Sequence, residues 1–200
     1  MVIPIKSFRT GWSRLAGHLD DGHRERLAVA VADLVVRAAS GLPTLVVTDD
    51  AGVEDWASGA GLATLAPGGG GLDRAVESAL AHLDAGDRAR HHPARRAVVV
   101  HADLPLAADL TPFVGSGESV LIVTDRHRDG TNILSIPRGR GFRVAYGIGS
   151  AERHRAEAVR LGLGVETVLD PALSWDLDTP EDLDHPEIRA LLDRIARVIP

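Results

Sequence analysis

The feature that most constrains this chain is the alternation of short apolar runs with longer amphipathic segments along its length. Residues 97–101 and 120–123 contain unbroken stretches of aliphatic residues, which is typical of strands buried on both faces. Segments between such runs, for example residues 24–39, place apolar side chains on one face at helical spacing. Strands that alternate with helices predict an α/β fold with a mostly parallel sheet covered on both sides.

The same patterns place the individual elements. The predicted strands are residues 2–5, 44–48, 63–65, 97–101, 120–123, 131–135, 164–168 and 173–177. The predicted helices are residues 24–39, 72–83, 151–161 and 181–198, and the last one has Thr179 as its N-cap, followed by Pro180 and Asp182. We interpret the polar segment 84–96 as a surface loop. With neither a repeat nor a dividing linker, residues 1–200 are expected to form a single domain.

Composition excludes several classes of function. The chain has 22 Lys and Arg against 28 Asp and Glu, a net charge of −6, and nucleic-acid binding needs concentrated basic surface. Because cysteine is absent, disulfides, thiolate zinc sites and iron–sulfur clusters are excluded. No apolar run approaches the roughly 18 residues of a membrane span, and no signal peptide is evident. We expect a cytoplasmic protein that binds neither nucleic acid nor membrane, and a homo-oligomer is compatible with the sequence.

Three aspartates form the strongest chemical signal. Asp103 follows the apolar run 97–101, so it is expected at the carboxyl end of a central strand, where open α/β sheets bind ligands. Asp176 and Asp178 alternate in an extended segment and can present two carboxylates to one point. Such hard oxygen ligands suit Mg²⁺. The alternative is that this acidic run only opens the last helix.

Two further segments are candidates for binding an anion. Thr131 enters a strand after a polar turn, and its hydroxyl group could hold a phosphate or carboxylate, although a plain surface hairpin is the alternative. Gly147, Gly149 and Ser150 precede a helix, whose free N–H groups favour an anion, although Ser150 is equally well explained as an N-cap. We interpret His154, one turn into that helix, as a packed or solvated residue.

The segment after the first strand carries cations in a loop that contains glycine. Lys6, the single lysine of the chain, and Arg14 are placed to meet the phosphates of a nucleotide. The spacing is neither that of a Walker A loop nor that of a dinucleotide-binding fingerprint, which disfavours P-loop hydrolysis and nicotinamide-dependent oxidation. Neither a histidine metal-binding motif nor a nucleophile elbow is present.

Taken together, residues 2 to about 183 resemble the 2-phospho-L-lactate / phosphoenolpyruvate guanylyltransferases of deazaflavin coenzyme F-420 biosynthesis. Each motif alone is weak, but their order along the chain is specific. The matching motifs are Ile3-Pro4-Ile5-Lys6 with Ser13-Arg14-Leu15, His101-Ala102-Asp103-Leu104-Pro105-Leu106, Asp125-Arg126 with Gly130-Thr131-Asn132, Phe142 with Tyr146-Gly147 and Gly149-Ser150-Ala151, Arg153-His154, and Asp176-Leu177-Asp178-Thr179-Pro180-Glu181-Asp182-Leu183.

The resemblance implies a Rossmann-like, three-layer α/β/α nucleotidyltransferase fold of the GT-A type. It also implies that GMP is transferred from GTP, with Mg²⁺, to the phosphate of phosphoenolpyruvate or 2-phospho-L-lactate, and that pyrophosphate is released. The site residues that it implies are Lys6, Arg14 and Asp103 for catalysis; Lys6, Ser13, Arg14, Gly71 and Asp73 for the nucleotide; Thr131, Gly147, Gly149 and Ser150 for the acceptor; and Asp103, Asp176 and Asp178 for the metal.

The chain departs from the family pattern at three places. Trp12 stands where a lysine is usual, Asp73 where asparagine is common, and Arg128-Asp129 where small residues are usual. An indole can stack but cannot neutralise a phosphate. The departures keep two alternatives open: a related nucleotidyltransferase that uses another phosphorylated acceptor, and a nucleotide-binding pseudoenzyme. Phosphoenolpyruvate and 2-phospholactate both carry a phosphate and a carboxylate on adjacent carbons, so the sequence does not distinguish them.

Overall fold

A computed structural model describes residues 1–90, 96–115 and 117–197 of the chain. The strands are β1 (Val2–Pro4), β2 (Leu45–Val47), β3 (Ala63–Leu65), β4 (Arg96–Val100), β5 (Val120–Thr124), β6 (Thr131–Pro137) and β7 (Val165–Thr167). They form one seven-stranded sheet in the order β3-β2-β1-β4-β6-β5-β7. The predicted α/β class with a mixed sheet is therefore confirmed.

Parallel pairing dominates on one side of the sheet. β1 pairs in parallel with β2 and β4, and β2 pairs in parallel with β3. β6 runs antiparallel to both of its neighbours, β4 and β5, because a short turn joins β5 directly to β6. This reversal brings the start of β6 to the same sheet edge as the ends of β1, β2, β4 and β5.

Helices cover both faces of the sheet. They are α1 (Asp21–Ala38), α2 (Ala51–Gly59), α3 (Gly71–Arg90), α4 (Ser150–Arg160) and α5 (Pro186–Arg197), with 3-10 turns at Ser13–Leu15, Thr111–Val114 and Pro180–Asp184. Successive strand residues point to opposite faces. Ile3 packs with α1 and α2, whereas its neighbour Val2 packs with α3 and α4. α5 packs on α1 through Ile188 and Val31. Within the described residues, no helix is long and apolar enough to cross a membrane.

Four sequence predictions need correction. Residues 173–177 are not a strand, because the Asp170 carboxylate accepts the N–H groups of the two residues that follow Pro171 and forms a turn. Helix α2 has no counterpart among the predictions. The predicted helix 181–198 is two helices, because His185 precedes Pro186 and adopts an extended conformation. Residues 84–90 of the predicted loop 84–96 continue α3, whereas 91–95, like Val198, lie outside the described residues.

Candidate active site

A continuous cleft runs along the sheet edge where β1, β2, β4 and β5 end. It consists of three adjoining cavities, which we call the glycine-loop cavity (about 610 Å³), the central cavity (about 280 Å³) and the acid-rich cavity (about 540 Å³). Lys6 lines the first two and His101 lines the last two, so each cavity opens to the next. The carboxyl edge of an open α/β sheet is the expected position for a ligand site.

The glycine-loop cavity lies between the end of β1 and residues 67–71. Asp49 shapes this loop: its carboxylate accepts hydrogen bonds from the N–H groups of Gly68 at 3.0 Å and Gly69 at 2.7 Å. Both glycines have positive φ angles, which side-chain-bearing residues rarely adopt. Lys6 and Gly71, two of the predicted nucleotide-binding residues, line the cavity together. Asp49 was not predicted, although an acid directly after the strand 44–48 is a signal for it.

The central cavity contains a carboxylate in an unfavourable electrostatic environment. Asp103 lies there with Lys6 and Trp12, and its Oδ1 atom is buried without a hydrogen-bond partner. Burial, together with the nearby charge of Asp176, raises the pKa of Asp103 to about 7. A buried carboxylate oxygen with no donor is a position that a cation can stabilise.

A backbone contact places the segment of Asp176 and Asp178 beside Asp103. The N–H group of Leu177 donates to the carbonyl oxygen of Asp103 at 2.9 Å, and the Leu177 side chain is fully buried. Asp176 and Asp178 are thereby held next to the end of β4. Burial raises the pKa of Asp176, and the nearby charge of Asp125 adds to the effect. Asp178 forms an ion pair with Arg14.

The acid-rich cavity has an excess of negative charge. Five aspartates and two arginines line it, and each arginine is already paired: Arg14 with Asp178, and Arg126 with the buried Asp182. An anionic ligand would need an additional cation here. In the described ranges no three His, Asp or Glu side chains are grouped as a ready metal site. A carboxylate oxygen such as the unpartnered Oδ1 of Asp103 suits Mg²⁺ only in the mode in which one or two carboxylates act together with ligand phosphates.

Three of the four residues predicted to bind the acceptor, Thr131, Gly147 and Ser150, line the wall of the acid-rich cavity. Arg153 donates from Nη2 to the carbonyl oxygen of Tyr146 at 2.8 Å. Because the peptide bond between Tyr146 and Gly147 is planar and trans, the N–H group of Gly147 points in the opposite direction to that carbonyl oxygen. The contact with Arg153 therefore sets the direction in which this N–H group points. The N–H group of Gly149 is engaged differently, since it donates to Oδ2 of Asp129 at 2.9 Å.

Two of the predicted nucleotide-binding residues do not line any of the three cavities. Ser13 is exposed on the first 3-10 turn and is not among the residues that line the three cavities. The Asp73 carboxylate accepts the N–H group of Tyr146 at 2.6 Å, which ties α3 to the loop before α4. Arg126 and Asp129 line the cleft without having been predicted as site residues; both belong to the polar turn before Thr131.

Comparison with known proteins agrees with this architecture. A nucleotidyl transferase from Methanothermobacter thermautotroptrophicus covers 100% of this chain and 99% of its own, with a TM-score of 0.59 and 15% identity. A CMP:2-keto-3-deoxy-manno-octonic acid synthetase complexed with CTP covers 99% and 98%, with a TM-score of 0.56 and 13% identity. At such identities the likeness shows the fold, which is that of nucleotidyltransferases, as the sequence predicted.

Sequence relatives are closer. The phosphoenolpyruvate guanylyltransferase of Conexibacter woesei is 37% identical over 194 residues, covering 92% of this chain and 84% of the relative. The enzyme of the same name from Streptomyces coelicolor is 35% identical over 195 residues, covering 92% and 87%. The family described as "Guanylyl transferase CofC like" matches residues 1–189. With a family match and relatives that both extend over most of its length, this chain belongs to the CofC-like guanylyl transferase family.

Proposed function

We propose that this protein transfers GMP from GTP to the phosphate of phosphoenolpyruvate and releases pyrophosphate, as a step of deazaflavin coenzyme F-420 biosynthesis. The observation that carries the proposal is that two different cavities adjoin the central cavity of Asp103: one has a glycine loop and Lys6, and the other has hydroxyl and backbone N–H groups. The names of the relatives support phosphoenolpyruvate as the acceptor.

In the proposed reaction an oxygen of the acceptor phosphate forms a bond to the α-phosphorus of GTP, and the bond from that phosphorus to the bridging oxygen of pyrophosphate breaks. A phosphate nucleophile is already ionised, so no side chain has to remove a proton. Catalysis then depends on position and charge. Lys6 would contact the triphosphate, whereas Thr131 and Ser150 would contact the acceptor.

Asp103 and Asp176, with Asp178, would hold Mg²⁺. When bound, Mg²⁺ supplies the positive charge that this cleft lacks for two anionic substrates. The unpaired Oδ1 of Asp103 and the excess of aspartates in the acid-rich cavity support this assignment. Arg14, paired with Asp178, would lie beside the phosphates of the nucleotide.

Pyrophosphate release tests the reaction. Each of GTP, ATP, CTP and UTP is incubated with Mg²⁺ and with phosphoenolpyruvate, 2-phospholactate or a sugar 1-phosphate. Pyrophosphate release is measured, and the product is identified by mass spectrometry. We expect turnover with GTP and phosphoenolpyruvate. Turnover with 2-phospholactate but not phosphoenolpyruvate would change the acceptor, and turnover only with a sugar phosphate would overturn the proposal.

The aspartate assignment has a separate test. Asp103→Asn and Asp176→Asn are expected to lower turnover by about 100-fold or more, whereas Asp55→Asn, on the exposed surface of α2, is the matched control. Because the amide removes a disfavoured buried charge, Asp103→Asn should also raise the free energy of unfolding without Mg²⁺ by about 2 kcal/mol. Full activity in either cleft variant would contradict the assignment.

A second candidate function is nucleotide binding without turnover. Trp12 favours it, because the indole lines the central cavity next to Lys6 and adds no positive charge there. In that case calorimetry would detect GTP binding while no pyrophosphate is released, and Trp12→Lys would raise the rate. Turnover by the unaltered protein eliminates this candidate.

A further inference from the structure

Three polar side chains form a buried group at the wall of the acid-rich cavity, where Thr131 and Ser150 line the cavity and His154 lies behind them. The exposed fractions are 2% for Thr131, 1% for Ser150 and 0% for His154. His154 Nδ1 lies 3.0 Å from Thr131 Oγ1, and Ser150 Oγ lies 3.2 Å from the same oxygen. On the other side of the ring, the N–H group of Ala145 donates to His154 Nε2 at 3.0 Å.

These contacts determine where the hydrogens are. Because Nε2 accepts a hydrogen bond from a backbone N–H group, it carries no hydrogen. The neutral ring must then carry its hydrogen on Nδ1 and donate it to Thr131. Burial lowers the pKa of His154 to about 4, which agrees with a neutral ring.

One hydroxyl hydrogen is left over. Thr131 and Ser150 together have two hydroxyl hydrogens, and their mutual contact uses one of them. With the imidazole acting as a donor, the other hydrogen has no acceptor among the described residues. Since both residues line the acid-rich cavity, the unused O–H group is available to a ligand there.

We propose that His154 is a positioning residue that makes the Thr131–Ser150 pair a hydrogen-bond donor toward an anionic oxygen, carboxylate or phosphate, of the acceptor. If Nδ1 carried no hydrogen, Thr131 could donate to the ring and Ser150 to Thr131. Both hydroxyl hydrogens would then be used within the group, and only oxygen lone pairs would face the cavity. The tautomer of the buried His154 ring thus decides whether the cavity wall formed by Thr131 and Ser150, here called the acceptor wall, donates or only accepts hydrogen bonds. This inference rests on the proposed function for the identity of the acceptor.

The surroundings of the ring are built to hold this orientation. The ring of Tyr146 meets His154 edge-on, with centroids 4.9 Å apart, and Phe142 lies on another side with centroids 6.1 Å apart. Ala145, whose N–H group determines the tautomer, lies in the same segment as both rings. A change in the ring's contacts would therefore reach the acceptor wall through the hydroxyl groups.

Two substitutions separate the two edges of the ring. In His154→Asn, the side-chain amide can still donate at the position of Nδ1 but does not reach Ala145. In His154→Gln, the longer side chain can still accept from Ala145 but presents no donor at the Nδ1 position. We expect His154→Gln to raise the KM for phosphoenolpyruvate by about tenfold, the size of one hydrogen bond to a charged group. In His154→Asn the KM for phosphoenolpyruvate should stay close to that of the unaltered protein. The KM for GTP should stay within about twofold of the unaltered value in both variants.

A comparison with Thr131→Val gives an independent check. This isosteric variant removes the hydroxyl group and should raise the same KM, and adding His154→Gln to it should cause little further change, because both act through one contact. Equal losses in the Asn and Gln variants, or additive losses with Thr131→Val, would mean that His154 acts only through folding and would overturn the inference.

A measurement on the resting protein distinguishes this inference from the proposed function. Long-range nitrogen–proton NMR of labelled histidine should find the His154 hydrogen on Nδ1, whatever the protein catalyses. Titration with pyruvate and with inorganic phosphate then tells which anion the wall receives, and His154→Gln should weaken that binding about tenfold. If the hydrogen is found on Nε2, the inference is overturned, even if the protein turns over GTP. If the hydrogen is on Nδ1 and anion binding depends on His154 but no turnover is found, only the proposed function is overturned.

Discussion

At the scale of single residues, the carboxylates of the cleft have different surroundings. The Asp125 side chain accepts the N–H groups of Asp129 at 2.9 Å and Gly130 at 2.8 Å, and so holds the turn between β5 and β6. A side chain on Gly130 would have its Cβ 2.7 Å from Oδ2 of Asp125, so a larger residue there would displace the carboxylate that holds the turn. Asp103, in contrast, keeps one oxygen without any donor. The first carboxylate builds the cleft, and the second is available for chemistry.

Asp129 is the carboxylate that we expect to oppose the acceptor. It occupies the N–H group of Gly149 at the start of α4, where an anion of the substrate would otherwise be stabilised. Asp129→Ala removes a like charge and releases that N–H group. We predict that the KM for an anionic acceptor falls by about tenfold, measured by pyrophosphate release.

The control for this prediction is Asp129→Asn. Its amide oxygen can still accept from Gly149, so only the charge is lost, and the decrease in KM should be intermediate. Unchanged or higher KM values in both variants would show that the acceptor does not approach Gly149.

At the scale of elements, the 3-10 turn Pro180–Asp184 holds the acidic segment in place. One oxygen of Asp182 accepts the N–H groups of Asp178 at 2.9 Å and Thr179 at 2.6 Å, which is half of the predicted capping box. The other oxygen is paired with Arg126, whose guanidinium lies 4.7 Å from the centroid of the Trp175 ring. The cap thus connects the end of the acidic segment to the turn before β6.

Loss of this connection should be costly. Asp182 is 1% exposed, so Asp182→Ala leaves Arg126 and two backbone N–H groups without their partner. We predict a decrease of about 3–5 kcal/mol in the free energy of unfolding, measured by urea denaturation. The matched control is Asp184→Ala, which removes an exposed ion pair with Arg189 and should cost less than about 1 kcal/mol. Similar losses in both variants would contradict this role of the cap.

At the scale of the whole molecule, the negative charge is concentrated. Seven acids and no Lys or Arg lie between Asp170 and Glu187, although the whole chain has a net charge of −6. Three of these acids, Asp176, Asp178 and Asp182, line the acid-rich cavity. The net charge therefore says less about the outer surface than about one side of the cleft, where a divalent cation is expected.

The pH dependence of stability is a property of the whole molecule, and the buried ring of His154 makes one contribution to it. Burial lowers the pKa of His154 from 6.5 to about 4, with the charge of Arg153 adding to the effect. Below pH 6.5 His154 is protonated in the unfolded chain but stays neutral in the folded protein. The neutral ring therefore contributes fully to the free energy of unfolding above pH 6.5, and this contribution is lost as the pH falls toward 4. We predict that it costs about 2 kcal/mol between pH 7 and pH 5.

Urea denaturation at the two pH values measures this contribution as a difference between proteins. His154→Gln should lose about 2 kcal/mol less than the unaltered protein over the interval, whereas His82→Gln, an exposed change on α3, should not alter the dependence. The comparison is needed because two other groups contribute over the same interval. Burial also lowers the pKa of His101 to about 4, which acts in the same direction, whereas Asp103, with a raised pKa, stabilises the folded state as the pH falls. An identical pH dependence in all three proteins would contradict the buried, neutral ring.

The sequence by itself determined the seven strands of the sheet and the acids that follow them, but it missed helix α2 and predicted a strand at residues 173–177 that is a turn. Apolar runs of strand length, such as the one before Asp103, lie within one or two residues of the observed strands. Their burial pattern is local, because alternate strand residues pack against helices on opposite faces. The capping box at Thr179 is local too, since its partners are close in the chain.

Only the tertiary structure decided which side chains meet. The pairs Arg14 with Asp178, Asp73 with Tyr146, and Thr131 with His154 join residues far apart in the chain. None of these contacts leaves a periodic signal, because each depends on strand order, on the reversal at β6 and on how α3 and α4 pack on the sheet. The physical reason is that secondary structure follows from neighbours along the chain, whereas the charge and hydrogen-bond partners of a site follow from packing across it.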